Sequence, residues 1–326
     1  MSDVSLEKLP QKAPSQARGT QVLRSIFHTL AYADVFDYPL TAHEVYRYLT
    51  LINASFEEII QALSEETLFS RTDEYFTLRG REAIIETRKR RAEIAARLWH
   101  KAARYGRMIA ALSFVRMVAV TGSLAMNNTD EDKDIDYMIV TAPNHLWTCR
   151  ALSLVLARFA KLEGVNLCPN YLVTTNAMEL EERSLYVAHE LAQMIPLSGM
   201  EIYRELRRLN AWTADYLPNA LMAPEMPQGV KQAQEHPIIQ RILEILFSLP
   251  FANWFEKWEM NRKIARLARE QSSSFESYFS ADICKGHIDK HGEDVVTALA
   301  VRFTDISASH QTDGRISLKE MLSRLD

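Results

Sequence analysis

One run constrains this chain more than any other: VAVTGSLAMNNTDEDKDIDYMIV, residues 118–140. The apolar, β-branched segments 115–121 and 135–141 read as buried strands, since strands covered on both faces carry near-continuous apolar sequence. Between them Gly122 lets the backbone turn tightly. Ser123 then opens a short helix, whose unpaired N–H groups and positive dipole end suit a phosphate. Ten residues separate Ser123 from Asp134, room for that helix and a returning loop. Asp134 and Asp136 stand two apart at the start of the second strand. Alternation puts both on one face, with Ile135 and Tyr137 on the other. Neighbouring carboxylates repel unless a divalent cation takes up their charge. Mg²⁺ accepts oxygen ligands and borrows the rest from water and substrate phosphates. The chemistry such a clamp suits is in-line attack on a phosphoryl group. An acidic surface loop ahead of an ordinary strand would carry similar residues, but the coincidence of Gly-Ser, spacing and apolar strand favours a site. Asp130, Glu131 and Asp132 fall in the preceding loop, and the strand start at Ile135 favours Asp134/Asp136 over the pair Asp132/Asp134.

Further on, 146–162 reads as a helix stopped at Gly164. Residues 170–175 read as a third strand, with Pro169 at its entry. The run resembles the signature of the DNA polymerase β-like nucleotidyltransferase superfamily: Gly-Ser, a gap of about ten residues, then Asp-hydrophobic-Asp opening an apolar strand. The likeness covers roughly residues 115–175. By that resemblance Gly122 and Ser123 contact a nucleoside triphosphate, while Asp134 and Asp136 bind Mg²⁺ or Mn²⁺. The superfamily usually adds a third carboxylate on the third strand. Here that stretch is LCPNYLVTT, and Asn170 is its nearest match. An amide can ligate a cation or hold a water, but it cannot act as a general base at neutral pH. Either Glu163, Glu190 or Asp215 fills the role, or the acceptor needs no base, or catalysis has decayed.

Around this core the expected architecture is α+β and mostly helical. A small mixed nucleotidyltransferase sheet (108–180) is flanked by an N-terminal winged helix-turn-helix-like domain (21–80) and a C-terminal helical region (181–326). Residues 1–20 are polar, with no apolar h-region, and read as a disordered lead-in. In 21–80 a helix carries Val22, Ile26 and Leu30 on one face. Thr41 caps a second helix, Ser55 and Glu58 form a capping box for a third, and a hairpin follows around Arg71-Thr72-Asp73-Glu74. That is the order of a winged helix-turn-helix. Its charge argues against duplex DNA: four basic residues against nine acids, where a groove-entering helix needs positive charge. The reading favoured is a scaffold or dimerisation module.

Residues 81–107 reverse the sign, with nine basic residues and three acids. They read as a long basic helix joining the winged unit to the core, its charge either simply solvated or a positive wall beside a polyphosphate or RNA. Beyond 181, helices are expected at 184–194, 200–210, 237–251 and 253–271.

No apolar stretch approaches the roughly 18 residues of a membrane span, so no membrane partner is expected. Three scattered cysteines, odd in number, argue against a disulfide framework and fit a reducing cytoplasm. His287 and His291 lack the acid of a zinc-protease motif and read as solvated or structural. The expected function is Mg-dependent transfer of a nucleoside monophosphate from an NTP to a hydroxyl acceptor (a small molecule, an RNA end or a protein side chain), with release of pyrophosphate. The alternative is a catalytically degenerate nucleotide-binding regulator acting through its winged unit.

Overall fold

The computed structural model describes residues 15–65, 69–232, 250–270 and 279–285, with single positions between 240 and 301. It is α+β, with two sheets and helices on both faces of the larger one.

The first element, α1 (Ser15–Asp34), begins inside the stretch expected to be a polar lead-in; residues 1–14 lie outside the described residues. Val22, Ile26 and Leu30 are buried as their spacing requires. The short strand β1 (Leu40–Thr41) leads into α2 (Ala42–Arg47), and α3 (Phe56–Glu65) follows. Thr41 caps α2 in a full capping box with Glu44, and Ser55 and Glu58 exchange the same reciprocal bonds ahead of α3. β2 (Phe69–Thr72) and β3 (Tyr75–Leu78) make the hairpin around Asp73-Glu74. β1 adds to β3, giving an antiparallel sheet in the order β1-β3-β2. The core of this N-terminal unit packs Ile26, Leu30, Val45, Ile59 and Phe76, and Val295 and Leu299 return from far along the chain to join it.

α4 (Ile84–Ala110) is the basic helix. It is more than a connector: Trp99, Ala102, Tyr105 and Ile109 belong to the core beneath the large sheet. Its charge is matched internally. Arg81 and Arg88 pair with Asp34, Asp37 and Glu44 of the N-terminal unit, and Lys89 with Asp73. Arg90 and Arg91 pair with Asp130, Arg97 with Glu131, and Arg104 with Glu163. Part of the sign reversal between 21–80 and 81–107 is thus one surface neutralising another, while Arg90, Arg91, Arg97 and Arg104 turn to acids of the core.

The large sheet has the order β7-β4-β5-β6-β8. Its centre is β4 (Val115–Thr121), β5 (Ile135–Thr141) and β6 (Leu167–Thr174); β4 and β5 are antiparallel, β5 and β6 parallel. Between β4 and β5 lies the short helix α5 (Gly122–Ala125), and between β5 and β6 lies α6 (Leu146–Leu162). Then come α7 (Leu185–Gln193), β7 (Ile195–Ser198), α8 (Met200–Leu209) and α9 (Thr213–Tyr216). Last are α10 (Pro250–Glu270) and β8 (Ile283–Lys285). The expectation of helix throughout 181–326 therefore needs correction. β7 pairs with β4 and β8 with β6, and both close the sheet's edges. β7 is four residues long and contains Pro196, features that demote a segment as a strand but suit an edge. The expected helix at 253–271 corresponds to α10, whereas most of 237–249, together with His287 and His291, lies outside the described residues.

Strand alternation sorts the two faces. Ile135, Tyr137 and Ile139 point to the layer of α4 and α6. Met138 and Val140 point to the layer of α7 and α8, with Leu191, Met194, Tyr203 and Leu206. Asp136 shares the parity of Met138, so its carboxylate emerges on the α7 side.

Candidate active site

A cavity of about 630 Å³ opens at the end of β4 and the start of β5, where the N-terminal unit leans on the sheet. Gly122, Ser123, Asp134, Asp136 and Asn170 all line it. The structure therefore gathers the five residues singled out in the sequence around one space.

Gly122 has φ +65°, a left-handed conformation that favours glycine. A Cβ there would sit 2.7 Å from Asp136 Oδ2. The bare Cα is what lets the Asp136 carboxylate lie against the β4–α5 turn, and Thr121 is Asp136's register partner across β4 and β5. Burial first, and then the charge of Asp134, push the Asp136 carboxyl up to about 7, against the opposing pull of Cys168 and Lys133. Asp134 itself is exposed, one residue before the strand. Two oxygen-only donors that repel each other could hold a hard divalent cation completing its shell from elsewhere.

The β6 neighbour differs from the one expected. In register, Asp136 pairs with Cys168 and Met138 with Tyr171, so Asn170 falls in an irregularity of the parallel ladder. It still lines the cavity. The Cys168 thiol hydrogen-bonds Asp136 and is pushed up to about 12 by burial, and further by the charges of Asp136 and Asp134. A bulge is invisible in sequence, because it shifts parity without changing composition.

Of the three substitute acids, the structure separates one from the others. Glu163 pairs with Arg104 at the end of α6, and Asp215 is exposed on α9. Glu190, on the α7 face that Asp136 also uses, lines the cavity. The Gly122 N–H and the Gln193 side chain both donate to its carboxyl, the latter at 2.7 Å. Burial and then the charge of Asp136 raise it to about 7 nonetheless.

Sequence reasoning missed the far wall. Tyr32, Phe36, Tyr38 and Tyr48 of the N-terminal unit and His189 of α7 line the same cavity. Tyr32 stacks on His189 with centroids 4.0 Å apart and planes 8° apart. The signal was a cluster of aromatics near the end of the first helix, unreadable as a site until the unit is docked on the sheet. His189 is lowered to about 3 by burial and by His28, which fits a neutral stacking ring.

Comparison of the chain with protein-family models, curated proteins and solved structures returned no match. No described helix is long and apolar enough to cross a membrane.

Proposed function

We propose that the chain is a Mg²⁺- or Mn²⁺-dependent nucleotidyltransferase that moves a nucleoside monophosphate from an NTP to a hydroxyl acceptor and releases pyrophosphate. The observation that carries this reading is the convergence of Gly122-Ser123, Asp134 and Asp136 on one cavity. Gly122 and Ser123 would receive the triphosphate at the end of β4, and Asp134 and Asp136 would hold the cation. Two carboxylates, with the adjacent Cys168 sulfur kept as a thiol by its raised pKa, fit Mg²⁺, which takes its remaining ligands from phosphate and water. When bound, the ion neutralises charge on the transferring phosphoryl group.

The chain's own residues then divide the work. The fixed turn at Gly122 would align the triphosphate, and the N-terminal unit walls the far end of the cavity. Asn170 cannot take a proton from the acceptor. Among the other acids lining the cavity, Asp37 and Asp130 are engaged in ion pairs and Asp132 lies exposed in the loop. Glu190 is the remaining carboxylate, and we assign it the acceptor's proton. That assignment answers the main argument for a degenerate regulator, the absent acid on β6. The N-terminal unit has the helix and strand order of a winged helix-turn-helix, but four of its acids (Asp34, Asp37, Glu44 and Asp73) are paired with Arg81 and α4, which supports a scaffold role over duplex-DNA binding. The reduced cysteines fit a cytoplasmic enzyme.

The test is incubation with each labelled NTP and Mg²⁺ or Mn²⁺ across small-molecule, RNA and protein acceptors, reading pyrophosphate and label transfer. Asp134→Ala/Asp136→Ala should abolish both. Glu190→Gln should cut transfer by roughly 10²-fold or more while Asn170→Ala changes it little, the scale expected of a general base. A wild type that binds nucleotide with metal yet releases no pyrophosphate with any acceptor would leave the regulatory reading standing.

A further inference from the structure

The cavity has two chemically different ends. At one, the carboxylates of Asp134, Asp136 and Glu190 line the wall, Asp136 against the Gly122 turn and Glu190 held by Gln193. At the other, the charged groups are already spoken for: Arg91 by Asp130, and Asp37 by Arg81. What remains there is ring and apolar surface from Tyr32, Val35, Phe36 and Tyr38. Tyr32 and Tyr38 are each 6% exposed, whereas Phe36 is 37% exposed. Yet Phe36 is not a loose surface residue. Its carbonyl accepts from Arg91 Nη1 at 3.1 Å and from Asn128 Nδ2 at 3.0 Å, tying the end of α1 to α4 and to the loop after α5. Its ring leans on Tyr32, with centroids 5.5 Å apart and planes at 54°. The backbone is clamped, and the residue, still 37% exposed, lines the cavity.

We propose that this end of the cavity seats the nucleobase of the triphosphate, with Phe36 as its stacking platform, so that the N-terminal unit is part of the nucleotide site. The inference rests on the nucleotidyltransferase reading and adds the base subsite to it. A nucleotide is a polyanion at one end and a planar ring at the other, and the cavity shows the matching polarity. A clamped aromatic loses little freedom on stacking, and base–aromatic stacking is sequence-tolerant because every base offers a π-face. A charged acceptor would instead need an unpaired charge at this end, and the charged side chains there are paired among themselves.

The experiment is titration of the full chain, with Mn²⁺ present, against two probes: each NTP, and inorganic tripolyphosphate, which has no base. Phe36→Ala should weaken NTP binding about tenfold or more and leave tripolyphosphate binding unchanged. Phe36→Leu, which keeps apolar bulk but no ring, should behave like Phe36→Ala, and Phe36→Trp should restore wild-type affinity. Unchanged NTP affinity in Phe36→Ala overturns the base subsite, as does an equal loss for both probes, which would mark a structural role. If the wild type binds neither probe, the nucleotidyltransferase reading itself fails, an outcome distinct from failure at Phe36.

Discussion

A single methyl group at position 122 would collide with the Asp136 carboxylate at 2.7 Å, on a backbone whose φ of +65° disfavours any side chain. Gly122→Ala should therefore cost about 1–2 kcal/mol in stability from the left-handed conformation alone. It should cost proportionally more in function, because Asp136 must swing away from its partner. The expected result is a modest fall in thermal midpoint, an intact circular dichroism spectrum and loss of Mn²⁺-dependent nucleotide binding. Retained binding would show that Asp136 does not need this turn. At this scale the sequence was informative about which residues meet and silent about how. Gly122, Ser123, Asp134 and Asp136 were legible because their chemistry is local to one strand-turn-strand run. Asn170 was legible as a lining residue but Cys168 as Asp136's neighbour was not, because one bulge in β6 decided which of them stands beside Asp136.

Among elements, the telling junction joins α2 to α4. Arg88 Nη1 and Nη2 donate to the two Glu44 oxygens at 2.7 and 2.8 Å, and the guanidinium lies 4.2 Å over the Tyr38 ring. Burial alone would raise the Glu44 carboxyl, but Arg88, the Thr41 N–H and the Tyr38 hydroxyl outweigh it and hold it below the usual range. A folded pKa below the unfolded value of about 4.3 means the pair stabilises the fold above that pH and loses its contribution as pH falls below it. Glu44→Gln, which strands Arg88, should cost about 3 kcal/mol at neutral pH. Urea midpoints should then show a shallower acid limb than the wild type. An acid limb as steep as the wild type's would mean that other carboxylates govern acid unfolding. Helices with a periodic apolar face or a good cap were readable in advance, as α1 and α6 attest for the face and α2 for the cap. α6 also shows where reading stops: its first turn is capped by Glu256 of α10, which accepts from the Trp147 N–H at 2.8 Å and the Thr148 N–H at 2.7 Å. No spacing rule reaches across 109 residues.

Across the whole molecule, the N-terminal unit is fastened to the rest by more than its connecting helix. Tyr32 stacks on His189, Arg47 donates to the Ala192 carbonyl at 2.9 Å, and Asn219 donates to the Tyr46 carbonyl at 2.9 Å. Scanning calorimetry should therefore show one cooperative transition, with calorimetric and van't Hoff enthalpies in agreement. A separate early peak removed by deleting residues 15–80 would mean the unit is only tethered. The charge reversal between 21–80 and 81–107 was visible in sequence, but its meaning was not, because partners such as Asp34 and Arg81 are 47 positions apart.

The two edge strands carry a consequence for the newborn chain. β4, β5 and β6 have all been synthesised by residue 174, yet β7 ends at Ser198 and β8 at Lys285. At ordinary elongation rates the β6 edge waits on the order of ten seconds for its strand. During that interval an apolar, partly built sheet is exposed to whatever else is nearby. This is a chain for which the pace of translation, and any chaperone that shields a nascent strand, should govern how much active protein a cell recovers.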